Sequence, residues 1–304
     1  MFLIILLYAL CASTFTISKW GLAYSEPLFF VALRMLLAGI ILGAYCIIQR
    51  EPSTLKDLWV NAKKDYLLFV QIVLFHIYLT YVCDLCALKN ITSIESAFIY
   101  NLSPFIAALF SYLWFSEYMT QKKWFGLLLG FVSMVYGLIN PSQTTEVFTH
   151  SGPRLIMLLA VISSSYGWIV VRALVKKGYS PVFINAFGMF VGGLLALVTS
   201  YATESWKPFP VTEWLPFLQA LLLLVVIANI IFYNLYGYLL KSYTATFLSF
   251  AGFLCPLFVA IFGYFFLGES FSWHLSISFF FVFVGLIIFY HEELRQGYSN
   301  RSID

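Results

Sequence analysis

Three ionisable residues interrupt otherwise apolar stretches of the sequence: Arg34, Asp84 and Glu95. A charge inside a membrane-spanning helix costs about 2.5 to 3.5 kcal/mol on insertion scales, so it requires a partner or a function. A guanidinium pairs well with a carboxylate, and a carboxylate pairs with an amino or other cationic group. These residues therefore indicate a site for a substrate carrying both charges. A stabilising ion-pair network that includes Lys19 and Lys89 is the alternative.

A second group of candidate substrate-binding residues is polar or aromatic. Asn229, Tyr233 and Tyr236 recur at i, i+4 and i+7 and share one helical face. Polar groups facing lipid are unfavourable, so this face should line a cavity or make interhelical hydrogen bonds. Aromatic candidates could stack on a planar ring or hold a cation. The remaining candidates are His76, Tyr81, Tyr100, Asn101 and Trp168.

His76 is expected near the centre of its helix. A neutral histidine bonded to a hydroxyl is the favoured interpretation. A proton carrier during transport is the alternative, because the histidine pKa is the closest to neutral.

The composition requires a membrane environment for these residues. Of 304 residues, 62% are hydrophobic and 10% are charged, which lies outside the range of soluble domains. A bilayer crossing needs about 20 mostly apolar residues. The sequence predicts ten such helices, at residues 2–18, 27–49, 66–87, 92–115, 123–139, 153–175, 181–201, 214–240, 244–267 and 272–290.

The distribution of basic residues predicts the orientation. With both termini in the cytoplasm, twelve of the 17 Lys and Arg residues fall on the inner side and four on the outer side. Positive charges favour cytoplasmic loops. We therefore expect an integral membrane protein with cytoplasmic termini, in a bacterial inner membrane.

The two halves of the chain repeat each other. Pro104 to Tyr112 matches Pro256 to Tyr264 at an offset of 152 residues. Five helices per copy is an odd number, so the second copy enters the bilayer inverted. The prediction is an all-α membrane protein whose two inverted five-helix repeats cover residues 1–140 and 153–290, followed by a short cytoplasmic tail at 291–304. Pro104 and Pro256 are expected to act as hinges or cavity walls.

Three charged residues of the first half have uncharged equivalents in the second half. The residues equivalent to Arg34, Asp84 and Glu95 are Gly188, Tyr236 and Phe247. The shared scaffold therefore does not require these charges, which favours a role in substrate recognition.

Several short segments resemble one known family. They include Ser13-Thr-Phe-Thr-Ile-Ser-Lys19, Ala32-Leu-Arg-Met-Leu-Leu-Ala-Gly39 and Cys255-Pro-Leu-Phe-Val-Ala260. In the order of these segments along the sequence, and in its repeat of two five-helix units, the chain resembles the EamA-type transporters of the drug/metabolite transporter superfamily. The resemblance implies ten helices and metabolite transport, and relatives include amino-acid exporters and S-adenosylmethionine importers. One departure is Cys11-Ala12, where the family often has Trp-Gly.

These observations predict a secondary transporter that moves an amino acid, or a derivative such as S-adenosylmethionine, by alternating access. A proton-coupled efflux pump and a non-transporting membrane scaffold are the alternatives. The sequence contains no H-E-x-x-H, G-x-S-x-G or P-loop motif, so an enzyme is not expected. No metal site, cofactor or nucleic-acid partner is indicated. The expected partners are a small-molecule substrate and the lipid bilayer.

Overall fold

The computed structural model describes residues 2–49, 63–91, 96, 99–138, 151–267 and 273–298. Within these ranges the chain is all-helical, apart from one isolated β-bridge between Ser25 and Val211. This confirms the predicted all-α class. The helices are α1 Phe2–Leu22, α2 Pro27–Gln49, α3 Tyr66–Leu88, α4 Ser103–Phe115, α5 Gln121–Leu138, α6 Ser151–Lys176, α7 Pro181–Thr203, α8 Trp214–Leu239, α9 Ala245–Ala251, α10 Leu254–Leu267 and α11 Trp273–Arg295.

Seven of these helices are long and apolar enough to cross a membrane: α1, α2, α3, α6, α7, α8 and α11. Many of their large apolar side chains are exposed on the outside of the bundle, including Ile48, Val198 and Leu215. Such a surface is suited to lipid. Predicted and observed boundaries agree to within a few residues for most helices, and α11 runs to Arg295, beyond the predicted end at residue 290.

The predicted continuous helix at 244–267 is wrong. The chain forms two helices, α9 and α10, separated by Gly252 and Phe253. The cause is Pro256, which has no amide hydrogen and whose ring collides with the carbonyl four residues earlier, that of Gly252. Similarly, α4 begins after a turn at Asn101 and Leu102, with Pro104 as its second residue. Both prolines therefore lie in the first turn of a helix, and not in the middle of the predicted helices 92–115 and 244–267.

Two π-helical segments occur at matching places in the two halves. They run from Ile72 to Leu79 within α3 and from Val225 to Phe232 within α8. Residues 72 and 225 are 153 apart, as are 79 and 232, which is within one residue of the sequence repeat. His76 and Asn229 hold the same position in these segments. Single π turns inside α-helices are frequent at functional sites.

The helices of the two halves pack against their counterparts. α2 packs on α7, and α5 packs on α11. In addition, α1 contacts α8 and α10, while α6 contacts α3 and α4. Each half thus places its first helix against the third and fourth segments of the other half, as two related repeats would. The broken and π-helical segments are thereby brought to the interface between halves.

Small residues permit the close crossing of α2 and α7. A Cβ atom at Gly39 would lie 2.6 Å from the backbone nitrogen of Phe190, and one at Gly193 would lie 2.9 Å from that of Leu36. Membrane helices commonly approach closely over such residues. The crossing fixes the position of α2, which carries Arg34.

Candidate binding site

A cavity of about 140 Å³ lies between the two halves of the protein. The turn before α4 and the break before α10 both reach it, through Asn101 and Gly252. It therefore combines charged, polar and aromatic groups from distant parts of the sequence. Eight of the eleven predicted binding residues line its wall: Arg34, Tyr81, Asp84, Tyr100, Asn101, Trp168, Tyr233 and Tyr236.

Arg34 projects from α2 towards this cavity and is almost completely buried, at 2% exposure. Its Nε donates a hydrogen bond to Asn229 Oδ1 at 2.7 Å, and its Nη2 donates to the Tyr81 hydroxyl at 3.3 Å. The guanidinium carbon also lies 4.6 Å from the centre of the Tyr81 ring. The expected carboxylate partner is not found, since no carboxylate in the described ranges lies within 4.0 Å of the guanidinium. An amide and a phenol hold it instead.

Asn229 lies behind Arg34 and does not line the cavity. It is fully buried, and its Nδ2 lies 3.2 Å from the sulfur of Met35 and 3.7 Å from that of Met189. Sulfur is a weak acceptor. The strong interaction of this amide is therefore the one that its oxygen makes with Arg34. Asn229 positions the guanidinium, a different role from the direct contact we had predicted.

Asp84 lines the cavity from α3. Its Oδ1 is buried and has no hydrogen-bond partner among the residues that the structure describes. The alternative of an ion-pair network with the nearby lysines does not hold at Asp84 within the described residues: Lys19 donates to the carbonyls of Leu88 and Ile91 at 2.5 and 2.8 Å, whereas Lys89 pairs with Glu26 at 2.6 Å. A buried carboxylate without a partner is unfavourable. Asp84 can therefore accept a cationic group from a ligand.

Aromatic side chains form another part of the wall. The rings of Trp168 and Tyr236 are stacked, with centroids 3.8 Å apart and an interplanar angle of 24°. Tyr233 lies 5.1 Å from Trp168. Because the stacked pair is in direct contact, a planar ligand cannot lie between its rings and must use an outer face. The ring of Trp168 also contacts His76, and that of Tyr236 lies 5.9 Å from Phe232.

His76 supports this aromatic group from behind and does not line the cavity. Its ring meets Trp168 at 4.4 Å in an edge-to-face arrangement and lies 5.1 Å from Tyr233. The expected hydroxyl partner is absent: neither ring nitrogen has a hydrogen-bond partner within the described part of the chain. Its surroundings are aromatic, and an N–H directed at an aromatic face is a weak favourable contact.

Two of the remaining predicted residues, Tyr100 and Asn101, line the cavity beside α4. Tyr100 packs edge-to-face on Phe15 at 5.8 Å, next to Asn101 in the turn before α4. Glu95 lies outside the described residues.

Sequence analysis missed several cavity residues, including Tyr8, Ser165 and Ser249. Ser165 lies three residues before Trp168 on the same helix, and its hydroxyl is buried without a partner among the described residues. The Ser249 hydroxyl is 3.5 Å from that of Tyr236. Helical spacing from Trp168 could have indicated Ser165. The contact of Ser249 depends on packing between separate helices, which spacing does not reveal.

Two buried ion pairs join the halves beyond the cavity, at helix ends predicted to be cytoplasmic. Glu117 follows α4 and pairs with Arg172 of α6 at 2.6 Å. Lys123 of α5 pairs with Glu293 of α11 at 3.2 Å. All four side chains are at most 7% exposed. These pairs hold the two halves together on that side.

A cavity with charged and polar groups on its wall, lying between two related helical halves and next to broken helices, is the architecture of a secondary transporter. The chain belongs to the EamA-like transporter family, whose model matches residues 1–138 and again residues 153–291. This confirms the predicted transporter class, and the chain is an integral membrane protein.

Proteins with related sequences carry transporter names. The chain is 39% identical to a protein of Chlamydia trachomatis named S-adenosylmethionine/S-adenosylhomocysteine transporter, over 98% of this chain and 90% of the relative. The Chlamydia muridarum protein of that name is also 39% identical, over 98% and 93%. The uncharacterized transporter YvbV of Bacillus subtilis is 26% identical over 73% and 70%.

The fold also matches a solved crystal structure. That protein superposes with a TM-score of 0.71 over 95% of both chains, at 16% sequence identity. The match supports the fold alone.

Proposed function

We propose that this protein transports S-adenosylmethionine and S-adenosylhomocysteine across a bacterial inner membrane by alternating access. The observation that carries the proposal is the presence of Arg34, Asp84 and a tryptophan–tyrosine stack on the wall of one cavity. The names of the Chlamydia relatives support the choice of substrate.

The two ends of the proposed substrates match the two kinds of group in the cavity. Both molecules have an amino-acid end with a carboxylate and an ammonium group. Arg34 would bind the carboxylate, because its Nη1 makes no hydrogen bond to a described residue. Asp84, whose side chain lines the same cavity, would accept the ammonium group with its carboxylate. The adenine would stack on an outer face of Trp168 or Tyr236.

The proposed architecture has ten crossings in two inverted repeats, residues 1–140 and 153–290, with cytoplasmic termini. Helices α9 and α10 would form one broken crossing, and the equivalent one is the crossing predicted at residues 92–115, whose second half is α4. Pro104 and Pro256, at the starts of the second halves of these crossings, would be the hinges. The positive-inside distribution supports the orientation.

The test uses purified protein in liposomes. Vesicles loaded with unlabelled S-adenosylhomocysteine should take up labelled S-adenosylmethionine with saturation, and empty vesicles should do so more slowly. A panel of amino acids serves as competitors, with and without a pH gradient. Absence of saturable uptake would exclude the proposal and leave the membrane scaffold. Uptake driven only by a pH gradient, for amino acids alone, would favour a proton-coupled carrier of another substrate.

A further inference from the structure

We propose that the described wall of the binding site provides no second carboxylate that could pair with the sulfonium of S-adenosylmethionine or take up a proton with S-adenosylhomocysteine, so that exchange of the two molecules moves one net positive charge and is driven by the membrane potential. The inference rests on the proposed function and adds its driving force. With a cytoplasm that is electrically negative, import of the cationic molecule and export of the neutral one would be favoured.

The charges on the cavity wall carry the first step. Among the described lining residues, Arg34 and Asp84 are the only ones that are charged in their ordinary states at neutral pH. S-adenosylmethionine carries a carboxylate, an ammonium and a sulfonium, for a net charge of +1. S-adenosylhomocysteine has a neutral thioether in place of the sulfonium and a net charge of zero. One basic and one acidic residue match the amino-acid end that both molecules share.

The second step concerns protons. Asp84 pairs with the ammonium group in both loaded states, because both substrates have this group. It therefore has no reason to take up a proton together with S-adenosylhomocysteine. His76, which could also carry a proton, is packed against Trp168 and Tyr233 and does not line the cavity. No described residue of the wall therefore carries a compensating proton with the neutral substrate, and the difference of one charge crosses the membrane.

The third step concerns the side chain that contacts the sulfur atom of the substrate. Tyr81 already faces the Arg34 guanidinium, and Tyr236 is stacked on Trp168. Tyr100 lines the cavity, is only partly buried and packs edge-to-face on Phe15. A tyrosine ring attracts a cation through its face, and it also forms favourable contacts with a neutral thioether. Tyr100 can thus accept both forms of the sulfur.

An aromatic contact suits an exchanger better than a carboxylate would. Cation–π contacts are worth about 0.5–2 kcal/mol, which corresponds to about a 2- to 30-fold preference for the sulfonium. A buried carboxylate at the same place would be left without a partner whenever the thioether bound, and it would disfavour that substrate strongly. A modest preference lets one site load each molecule on its own side of the membrane.

The experiment imposes a potential across liposomes with potassium gradients and valinomycin, at equal pH on both sides. Vesicles contain S-adenosylhomocysteine, and labelled S-adenosylmethionine is outside. An inside-negative potential of about 100 mV should raise the final accumulation ratio about fiftyfold relative to zero potential, the value for one charge. Exchange of S-adenosylmethionine for itself moves no net charge, so its final ratio should not respond to the potential.

The outcomes separate this inference from the proposed function. Exchange that proceeds at zero potential but ignores the imposed potential would overturn the inference and leave the function intact. The same holds if the accumulation ratio follows a pH gradient instead. Complete absence of exchange would overturn both.

Variants at two positions test the source of the effect. Tyr100→Leu should weaken S-adenosylmethionine binding about 2- to 30-fold and S-adenosylhomocysteine binding less, whereas Tyr100→Phe, which retains the ring, should preserve the ratio of the two affinities. Glu95→Gln should leave that ratio unchanged. If Glu95→Gln abolishes the preference for S-adenosylmethionine over S-adenosylhomocysteine, Glu95 supplies the second carboxylate and the inference is wrong.

Discussion

Arg34 and Asn229 are joined by a hydrogen bond of 2.7 Å between Nε and Oδ1, although they belong to different halves of the protein. The bond links α2 to the π-helical segment of α8. It leaves the guanidinium facing the cavity while its other side is held in place. Arg34, which is proposed to bind the substrate, is thus hydrogen-bonded to a π-helical segment of the other half. This contact lies at the interface where the two halves would move relative to each other.

Replacing Arg34 tests the proposed carboxylate contact. Hydrogen bonds to charged groups contribute about 1.5–3 kcal/mol, so Arg34→Ala should raise the KM for S-adenosylmethionine about 10- to 150-fold. Arg34→Lys keeps the charge but loses the planar fork that reaches both Asn229 and Tyr81, and it should recover only part of the affinity. Transport rates in liposomes provide the measurement.

A substrate analogue supplies the control for Arg34. A decarboxylated form of S-adenosylmethionine has no group for the guanidinium to bind. Arg34→Ala should therefore affect its inhibition constant little. Equal losses for both compounds would mean that Arg34 acts on the structure of the site and does not bind the carboxylate.

The proposed adenine contact is tested at Trp168. Stacking of a base on an aromatic side chain is worth about 1–3 kcal/mol. Trp168→Leu should therefore weaken competition by adenosyl compounds about 5- to 150-fold, while competition by methionine changes little. Trp168→Phe, which retains a smaller ring beside Tyr236, should lie between these values. A uniform loss for all competitors would contradict stacking.

Much of the fold follows from the sequence because hydropathy and the repeat are local or periodic signals. The apolar runs predict most helices, and the offset of 152 residues explains why π-helical segments recur in α3 and α8. The break at Gly252 was missed because hydropathy is averaged over a window, and an apolar window does not register the hydrogen bond that Pro256 removes.

The site could be predicted only in part, for a related physical reason. Residue type and depth indicate which groups need a partner, so Arg34 and Asp84 stand out. The identity of a partner depends on packing between helices: Asn229 is 195 residues from Arg34, and nothing in spacing selects it over a carboxylate. His76 likewise lies behind the wall, and it belongs to the π-helical segment of α3, where regular helical spacing does not indicate which face a residue occupies.

Glycine positions on α2 provide a matched pair of substitutions. A Cβ atom at Gly39 would lie 2.6 Å from the backbone of Phe190, whereas one at Gly43 would have nothing within 4 Å. Gly39→Ala should therefore lower the free energy of unfolding by about 1–3 kcal/mol through overpacking. Gly43→Ala should be neutral or stabilise by about 0.5–1 kcal/mol. Thermal unfolding in detergent measures both, and equal effects would contradict the crossing.

The buried pair of Glu117 and Arg172 predicts a strong effect of removing one partner. Glu117→Gln leaves a nearly buried guanidinium without its counter-ion, which typically costs about 3–5 kcal/mol. Thermal unfolding should show a large loss for this variant. The double variant Glu117→Leu with Arg172→Met removes both charges and should recover most of the stability. No recovery would mean that Glu117 acts through other contacts.

Asp65, just before α3, predicts a pH dependence of stability. Its carboxylate accepts hydrogen bonds from Lys177 at 2.5 Å and from the Tyr179 hydroxyl at 2.9 Å, and the bond from Lys177 lowers the pKa of Asp65 below its ordinary value. The folded state thus favours the ionised form, so this stabilisation is present at neutral pH and is lost as the pH falls through the lowered pKa. Lys177 is half exposed, which limits the contribution to about 0.2–1 kcal/mol. Asp65→Asn should therefore unfold slightly earlier than the parent protein at pH 7, with the difference shrinking on acidification. A difference that stays constant down to pH 3 would contradict this linkage.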